Sequence, residues 1–432
     1  MALASCASAR TEDCFPVERF GLDFGTSNSS LAHARADGTA VLCALDAVAL
    51  NPAVLRSLLY YSPEQRGFVT GQSAIAEYLA EDMRGTLMQS LKTFLADDSF
   101  GETWVHDRPY TLEDLLAIIF RRVRAAIRSQ GIDEILLVIG RPAVFVDRPA
   151  KEEVARRRMT RAARIAGFFD VQFEYEPIAA GLAYEASLAS PETALIADLG
   201  GGTSDFTVMR LGTRARGDRR GDILATAGVQ VGGDTFDTRI MVGRLARHFG
   251  AGTTYRSMEG KDLPFPSHLV GQLGRWHQVA FLRDRRTRDL LARLAATGSD
   301  PDAVERLRTL VEGNLAFFLF EEIERAKARL SSEEEATIRF AHEGIAVEEH
   351  ITRADFDALI APDVRRIEAC MRTVLDAARV REPDVGSVFL TGGSAQIPAL
   401  RGLFARAFGE DRLRSQDYLT TVACGLALAA QP

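Results

Sequence analysis

Short apolar runs alternate along the chain with segments whose apolar residues recur at helical spacing, a pattern that predicts an α/β fold with helices packed on sheets. The clearest helix follows Tyr110, where Thr111 and Asp114 form a capping-box-like start and Gly131 supplies the stop. Its buried face is predicted by Leu112, Leu115, Leu116, Ile119, Phe120, Val123 and Ile127. The apolar run at 135–139 then predicts a strand that ends at the Gly-Arg-Pro sequence after it.

The same pattern predicts further elements along the rest of the chain. Strands are expected at 194–198, 203–210, 222–229 and 387–390. Helices are expected at 150–166, 312–330, 354–379 and 399–408, with a loop at 297–301. Residues 237–324 are less patterned and indicate an inserted subdomain, whereas the glycine- and arginine-rich segment 212–222 is typical of a solvated hairpin tip rather than a binding patch.

Length, charge and cysteine content narrow the class of protein. A chain of 432 residues has room for two or more lobes with their own cores. A formal net charge of −7 argues against a general affinity for nucleic acid, because phosphates require a basic face. The five cysteines are scattered without CxxC spacing, and neither the first residues nor any later run resembles a leader or a membrane span. A cytoplasmic protein with no membrane or nucleic-acid partner is therefore expected.

A weak internal repeat joins two strand-to-turn junctions. The segment GLDFGTSN contains Asp23, and the segment IADLGGGTSD contains Asp198. In each, the aspartate ends an apolar strand and is followed by glycines, which let backbone N–H groups approach phosphate, and by hydroxyl residues. Either turn alone is more typical of a tight hairpin. The pair predicts two related lobes that grip a polyphosphate, with both aspartates holding Mg²⁺ through its waters.

Four more segments have a chemical interpretation, a plain structural one, or both. Glu176 opens EPIAAGLAY and could orient water in a cleft, or could simply suit the helix dipole. Gly232 and Gly233 precede a helix and could admit phosphate or ribose, or form a capped turn. Glu324 and Lys327 share a helix face and could be a solvated ion pair. The segment FLTGGSAQIP opens a strand into a Gly-Gly turn that could lie against a nucleoside.

In order and spacing, these segments resemble the seventy-kilodalton heat-shock chaperone branch of the actin, hexokinase and heat-shock superfamily. The match rests on GLDFGTSNS, DLGGGTSDF, EPIAAGLAYE, GGDTFD, ERAKARLS and TGGSAQIP, which together run from about residue 20 to 427. The resemblance implies an actin-like ATPase fold with two ribonuclease-H-like lobes and inserted subdomains around a central nucleotide cleft. It suggests an extension at 1–16, lobe I at 17–190 with an insert near 50–108, and lobe II at 191–432 with an insert near 238–318.

The resemblance also implies roles for individual residues. Asp23 and Asp198 would hold the waters of Mg²⁺, Lys92 would reach the γ-phosphate, and Glu176 would position the attacking water. Asp205 would support the second loop and share the base role with Asp198. Contacts to ATP or ADP are implied for Gly25, Thr26, Ser27, Gly200, Gly201, Gly202, Thr203, Gly232, Gly233, Glu324, Lys327, Ser331, Gly392, Gly393 and Ser394.

Two departures from the family pattern carry expectations of their own. Ala328 and Gln396 stand where the chaperones sandwich the adenine between two arginines, which puts adenine selectivity in doubt unless Arg325, Arg329 or another residue substitutes. The segment after residue 427 contains neither an interdomain linker nor a peptide-binding β-sandwich, as in the short YegD-type members. We therefore expect a nucleotide-binding half without a peptide-binding half.

The resemblance favours a slow ATP hydrolase that works as a nucleotide-dependent conformational switch, with a protein partner on the inserted subdomain or the small lobe. Two other classes share the phosphate loops. A filament-forming cytoskeletal protein would need self-complementary faces, and a small-molecule kinase would pass phosphate to a metabolite instead of to water. The heat-shock-like forms of DLGGGTSDF and ERAKARLS favour the first function over both.

Overall fold

A computed structural model describes residues 17–429 apart from short segments within that range. The segments outside the description are 82–83, 98–99, 142–148, 186–187, 189, 213–219, 258, 276–278, 314 and 416–417. The predicted extension at 1–16 and most of the predicted hairpin tip at 212–222 therefore lie outside the described residues.

The described strands group into two large sheets and four small ones. They are β1 Glu18–Phe24, β2 Asn28–Ala34, β3 Ala40–Leu42, β4 Val54–Arg56, β5 Leu58–Ser62, β6 Gly67–Thr70, β7 Thr86–Gln89, β8 Glu102–Val105, β9 Arg108–Thr111, β10 Ile135–Arg141, β11 Asp170–Tyr175, β12 Glu192–Leu199, β13 Ser204–Leu211, β14 Ile223–Val229, β15 Thr254–Arg256, β16 Asp262–Pro264, β17 Glu335–His342, β18 Ile345–Thr352, β19 Ser387–Thr391 and β20 Leu413–Ser415.

The described α-helices pack on the two large sheets, on the smaller sheets and on one another. They are α1 Gly71–Ala80, α2 Leu112–Arg128, α3 Pro149–Ile165, α4 Glu176–Glu185, α5 Gly233–Ile240, α6 Ser267–Leu273, α7 Arg285–Thr297, α8 Pro301–Glu312, α9 Ala316–Leu330, α10 Arg353–Ala378, α11 Pro398–Phe408 and α12 Tyr418–Ala429. Two 3₁₀ turns, Leu91–Phe94 and Gly393–Gln396, lie next to the candidate site.

The two large sheets share one topology. The first has the order β11-β10-β1-β2-β3, with β4 beside β2, and the second has the order β14-β13-β12-β19-β20. In each sheet three strands form an antiparallel meander, and two later strands run parallel to its first strand. Asp23 in β1 and Asp198 in β12 occupy equivalent positions, so the weak sequence repeat corresponds to two similar lobes. The predicted pair of ribonuclease-H-like lobes is confirmed.

Helices α4 and α12 pack against each other between the sheets, and their apolar residues form a core with β10, β12 and β19. A glycine is required where α12 crosses α4, since a Cβ on Gly425 would lie 1.8 Å from the carbonyl oxygen of Ala179. A Cβ on Gly21 would likewise lie 2.3 Å from the carbonyl oxygen of Ala423. The close contact of α12 with α4 and β1 places the carboxyl ends of β1 and β12 on either side of one cleft.

Most of the predicted elements are present. The helix after Tyr110 is α2, and its Thr111–Asp114 capping box forms as expected. The strands predicted at 135–139, 194–198, 203–210, 222–229 and 387–390 and the helices predicted at 150–166, 354–379 and 399–408 match within a few residues. The loop at 297–301 separates α7 from α8.

One predicted helix is present but begins four residues later than expected. A continuous helix at 312–330 was expected, but α8 ends at Glu312 with Gly313 as its C-cap, and α9 begins only at Ala316. Glycine is a poor helix former, and the buried Leu315 packs in the lobe core at the break. The region that lacked a clear sequence pattern also contains more helix than its pattern suggested, namely α6, α7 and α8.

Candidate functional site

The two repeated turns face each other across the cleft. A Cβ built on Gly201, in the second turn, would lie 3.0 Å from the side-chain oxygen of Ser27, in the first turn. The amide of Gly25 donates to the carbonyl of Asn28 at 3.0 Å, and the amide of Gly200 donates to the carbonyl of Thr203 at 2.9 Å. Each turn is thus a tight hairpin, which is the plain structural interpretation of its sequence. The two hairpin turns also lie next to each other.

A lysine–glutamate pair lies at the bottom of this cleft. The ammonium of Lys92, from the 3₁₀ turn Leu91–Phe94, donates to Oε1 of Glu176 at 3.0 Å. Glu176 is the first residue of α4 and follows β11 directly. Burial lowers the pKa of Lys92, but Glu176 and then Asp23 outweigh it and raise that pKa above its ordinary value. Lys92 therefore stays charged in a largely buried position.

Carboxyl groups surround that ammonium. Burial raises the pKa of Asp23 to about 8; Glu176 and Asp198 add to the rise, and Lys92 opposes it. Burial also raises the pKa of Asp205 to about 6, although its hydrogen bond from the Thr203 hydroxyl, at 2.7 Å, has the opposite effect. Four carboxyl groups therefore lie within electrostatic reach of one another or of Lys92, namely Asp23, Asp198, Glu176 and Asp205. A bound cation would stabilise the charged form of such closely placed carboxylates.

The second turn is supported from behind by the GGDTFD segment. The amide of Gly233 donates to the carbonyl of Gly200 at 3.0 Å, and the amide of Asp234 donates to that of Gly201 at 2.8 Å. A Cβ on Gly232 would lie 2.4 Å from the Gly201 carbonyl oxygen, so only glycine fits at this contact. The amide groups that start α5 are consequently held next to the candidate phosphate loop.

Lys327 of α9 joins the same wall. Its ammonium lies 2.8 Å from the carboxylate of Asp237 and 3.3 Å from the carbonyl oxygen of Gly233. Burial raises the pKa of Asp237 to about 6, and Lys327 opposes that rise. Lys327 thus lies beside the Gly232–Gly233 turn, for which the sequence allowed a contact to phosphate or ribose.

The TGGSAQIP segment also contacts the second turn. Ser394 donates its hydroxyl to the carbonyl of Gly200 at 3.0 Å. Gly392 has φ of +81°, and a Cβ there would lie 2.3 Å from the carbonyl oxygen of Leu199 and 3.0 Å from Oδ1 of Asp198. Gly393 has open space where a side chain would be. Glycine is therefore required at Gly392 because of this close contact, whereas the open space at Gly393 leaves room for a ligand.

Other candidates on α9 are less firmly placed. Glu324 is exposed, and Ser331, the C-cap of α9, donates its hydroxyl to the carbonyl of Lys327 at 3.4 Å. Arg329 donates to the carbonyl of Thr337 at 2.7 Å, and Arg325 pairs with Glu321 and Glu322. Both arginines that could replace an adenine sandwich are therefore engaged elsewhere, whereas Ala328 and Gln396 are exposed.

Sequence reasoning missed a contact that closes the far side of the cleft. Arg56 at the end of β4 donates to Oε2 of Glu324 at 3.5 Å and lies 3.9 Å from Oε1 of Glu321. Beside it, the rings of Tyr78 from α1 and Phe317 from α9 meet edge to face, with centroids 6.3 Å apart. A short strand and an aromatic pair carry no motif, so only the spatial proximity of the two segments reveals this contact.

The residues present fit Mg²⁺ with a nucleoside polyphosphate. In the described part of the chain, no group of three or more His, Cys, Asp or Glu side chains could hold a metal directly. Magnesium retains several waters, and carboxylates on both turns suit binding through them. The close approach of Gly201 to Ser27 brings the two turns together, and both turns supply amide and hydroxyl donors that suit phosphate.

Comparison with known proteins shows the family to which the chain is similar. The model of the family described as Hsp70 protein matches residues 19–254 and 314–431. A Chaperone protein HscA homolog from Bordetella petrii is 27% identical over 432 residues, covering 95% of this chain and 57% of that protein. A Chaperone protein DnaK from Thermus thermophilus is 26% identical over 432 residues, covering 95% of this chain and 60% of that protein.

The chain thus spans less than two thirds of the length of these relatives, 57% in one case and 60% in the other. The family model leaves residues 255–313 unmatched, a stretch inside the predicted insert of lobe II. Within the described residues, no helix has both the length and the apolar character needed to cross a membrane.

Proposed function

The chain belongs to the Hsp70 family, and on that premise we propose that it binds Mg-ATP in the cleft between its sheets and hydrolyses it slowly. The main support for this proposal is that four charged side chains from four separate elements converge beside the two facing turns. They are Asp23, Lys92, Glu176 and Asp198. Hydrolysis would make it a chaperone-like nucleotide switch. Mg-ATP would supply the phosphoanhydride bond, and its metal ion would neutralise the negative charge of the phosphates.

The proposed binding roles follow from the donors that each turn presents. Amide and hydroxyl groups of residues 25–27 and 200–203 would hold the phosphate oxygens from both lobes. Asp23 and Asp198 would hold the waters of the metal, because their carboxylates lie on opposite turns but within electrostatic reach. Lys327, Gly393 and Ser394 would contact ribose and base from the wall behind the second turn.

The proposed catalytic roles follow from charge and position. Lys92 holds its proton, because its partners raise its pKa, and it would stabilise charge on the terminal phosphate. Glu176 would orient the attacking water once Lys92 turns toward phosphate. Asp205, held by the Thr203 hydroxyl, would support the second turn and share proton acceptance with Asp198.

Closure of the cleft would transmit the state of the nucleotide. Helix α9 carries Lys327 on the nucleotide side and contacts β4 and α1 through Glu324 and Phe317. Opening the cleft would break these contacts while the α4–α12 packing remains as the pivot. A protein partner on the inserted subdomain or the small lobe would sense that change.

Calorimetric titration with ATP and ADP in the presence of Mg²⁺, together with phosphate release, tests the proposal. The parent should bind both nucleotides and release phosphate slowly, and Asp198→Asn should weaken metal-dependent binding and lose turnover. Asp289→Asn, an exposed aspartate on α7, is the matched control and should behave like the parent. Binding without phosphate release would contradict hydrolysis, and absence of binding would contradict the whole proposal.

A further inference from the structure

One arginine on α3 differs from its neighbours on that helix. Arg157, Arg161 and Arg164 are exposed, whereas Arg158 is only 9% exposed. Its guanidinium donates to three backbone carbonyls, those of Phe94 at 3.0 Å, Asp97 at 2.8 Å and Phe100 at 2.8 Å. No acidic side chain of the described residues forms an ion pair with it, and its described acceptors are all backbone oxygens.

The first of these carbonyls ends the turn that carries Lys92. This 3₁₀ turn, Leu91–Phe94, is a single short helical turn, and such turns are marginal by themselves. The carbonyls at the end of a helical segment lack partners within it, and a cation there stabilises them. The buried side chains of Leu91 and Leu95 hold the turn from the core side. Arg158 holds it from the α3 side.

Lys92 depends on this support more than a stiffer residue would. Its ammonium sits at the end of a flexible four-carbon side chain, so the position of its backbone decides which acceptors it can reach. In the structure it reaches Oε1 of Glu176 at 3.0 Å from a turn 84 residues away. A shift of the turn by about 1 Å is the kind of misplacement that costs up to about a hundredfold in rate.

We propose that Arg158 is a positioning residue for Lys92, because its three hydrogen bonds to the carbonyls of Phe94, Asp97 and Phe100 fix the turn that aims the ammonium into the cleft. The catalytic consequence rests on the proposed ATP hydrolysis. The positioning itself does not, since the Lys92–Glu176 contact is made by the chain's own residues.

The lysine content of the chain allows a direct readout. The sequence contains four lysines, Lys92, Lys151, Lys261 and Lys327. Lys92 is 12% exposed and paired, whereas Lys261 is 75% exposed and serves as an internal reference. Limited acetylation of the nucleotide-free full chain, followed by peptide mass spectrometry, then gives the ratio of Lys92 to Lys261 modification. Hydrogen exchange at the amides of Leu95 and Asp97 reports on the same turn, because both donate to its carbonyls.

Arg158→Met is the test variant, and Arg157→Met, which removes an exposed charge one residue away, is the control. Arg158→Met should raise the Lys92 to Lys261 ratio and the exchange of Leu95 and Asp97 about tenfold, the change expected from losing a charged hydrogen bond. It should also lower kcat about tenfold while the Kd for ATP changes less than about threefold, since most nucleotide contacts come from other elements.

Unchanged Lys92 modification and amide exchange, relative to Arg157→Met, would overturn the proposal even if the melting temperature fell. If Arg158→Met does not fold, Arg158→Lys keeps a cation but not the planar fork and should raise the same two ratios. A parent that shows no ATP hydrolysis would contradict the proposed function alone, because both nucleotide-free readouts would still decide the role of Arg158.

Discussion

Arg56 and Glu324 lie on opposite sides of the cleft, and their side chains meet with Nη2 3.5 Å from Oε2. Arg56 ends β4 in the first lobe, whereas Glu324 is on α9 of the second, three residues before Lys327. The aromatic contact of Tyr78 with Phe317 lies on the same side of the cleft. The described contacts therefore hold the cleft closed at its rim as well as at its base.

Breaking the rim contacts should accelerate nucleotide release. Arg56→Ala should raise the dissociation rate of a fluorescent ADP about twofold, because exposed ion pairs contribute less than about 1 kcal/mol. Phe317→Ala should raise it about tenfold, since it removes a buried aromatic contact. Stopped-flow displacement measures both rates, with the exposed Arg108→Ala as control. Equal rates in all four proteins would show that the rim does not restrain the nucleotide.

Base selectivity should be low in the parent and recoverable by substitution. Ala328 and Gln396 are exposed where the proposed nucleoside contact lies, and Arg329 and Arg325 are engaged by Thr337 and by acidic neighbours. Ala328→Arg should increase ATP affinity about threefold to tenfold through stacking on the base, with a smaller gain for pyrimidine nucleotides. Titration with ATP, GTP and CTP measures this, and Ala328→Gln is the uncharged control. A parent that already prefers ATP about a hundredfold would contradict the prediction.

The α4–α12 crossing should not accept a side chain. Gly425→Ala should lower the free energy of unfolding by about 3 kcal/mol, because the new Cβ would lie 1.8 Å from the Ala179 carbonyl oxygen, which belongs to rigid helix backbone. Gly271→Ala is the control, since α6 has open space there and alanine should stabilise that helix by about 0.5–1 kcal/mol. Denaturant unfolding compares the two, and equal stabilities would show that the helices can separate freely.

A buried glutamate should make stability depend on acidic pH. Glu349 of β18 accepts hydrogen bonds from Arg244 at 2.9 Å and Arg247 at 2.5 Å, and lies 3.1 Å from Nε2 of His248. Burial raises the pKa of Glu349, but hydrogen bonds from His248, Arg247 and Arg244 outweigh it and hold that pKa below its ordinary value of 4.5. Its contribution is therefore complete above about pH 4.5 and is lost as pH falls through the lowered pKa.

Glu349→Gln should accordingly cost about 1–2 kcal/mol at pH 7, since it removes charged hydrogen bonds to arginines that stay partly solvated, Arg247 being 64% exposed. The difference from the parent should narrow as the pH falls below that ordinary pKa. Thermal melts from about pH 3 to 8 measure the difference, with Glu348→Gln as control because Glu348 is 65% exposed on the same strand. A difference that does not change with pH would contradict the assignment.

Local sequence determined much of the secondary structure and the composition of the candidate site. The capping box at Thr111 and Asp114 set the start of α2, because its hydrogen bonds close within four residues. The repeat around Asp23 and Asp198 indicated two related lobes, since both turns place glycines and hydroxyl residues after an aspartate that ends an apolar strand. The break at Gly313 was missed because apolar residues continue on both sides of it.

Which side chains meet was decided only by tertiary structure. Arg56 reaches Glu324 across 268 residues, and Arg158 reaches the carbonyl of Phe94 across 64. Neither arginine belongs to a sequence motif. Their partners are backbone oxygens or an exposed acidic side chain, and such groups occur throughout the chain, so the sequence does not indicate which of them an arginine will contact. The sequence by itself determined the chemistry of the two turns, through glycine, hydroxyl and carboxylate groups at fixed local spacing. Those turns meet only in the folded chain, where α4 packs on α12, since contact across such separations depends on tertiary packing.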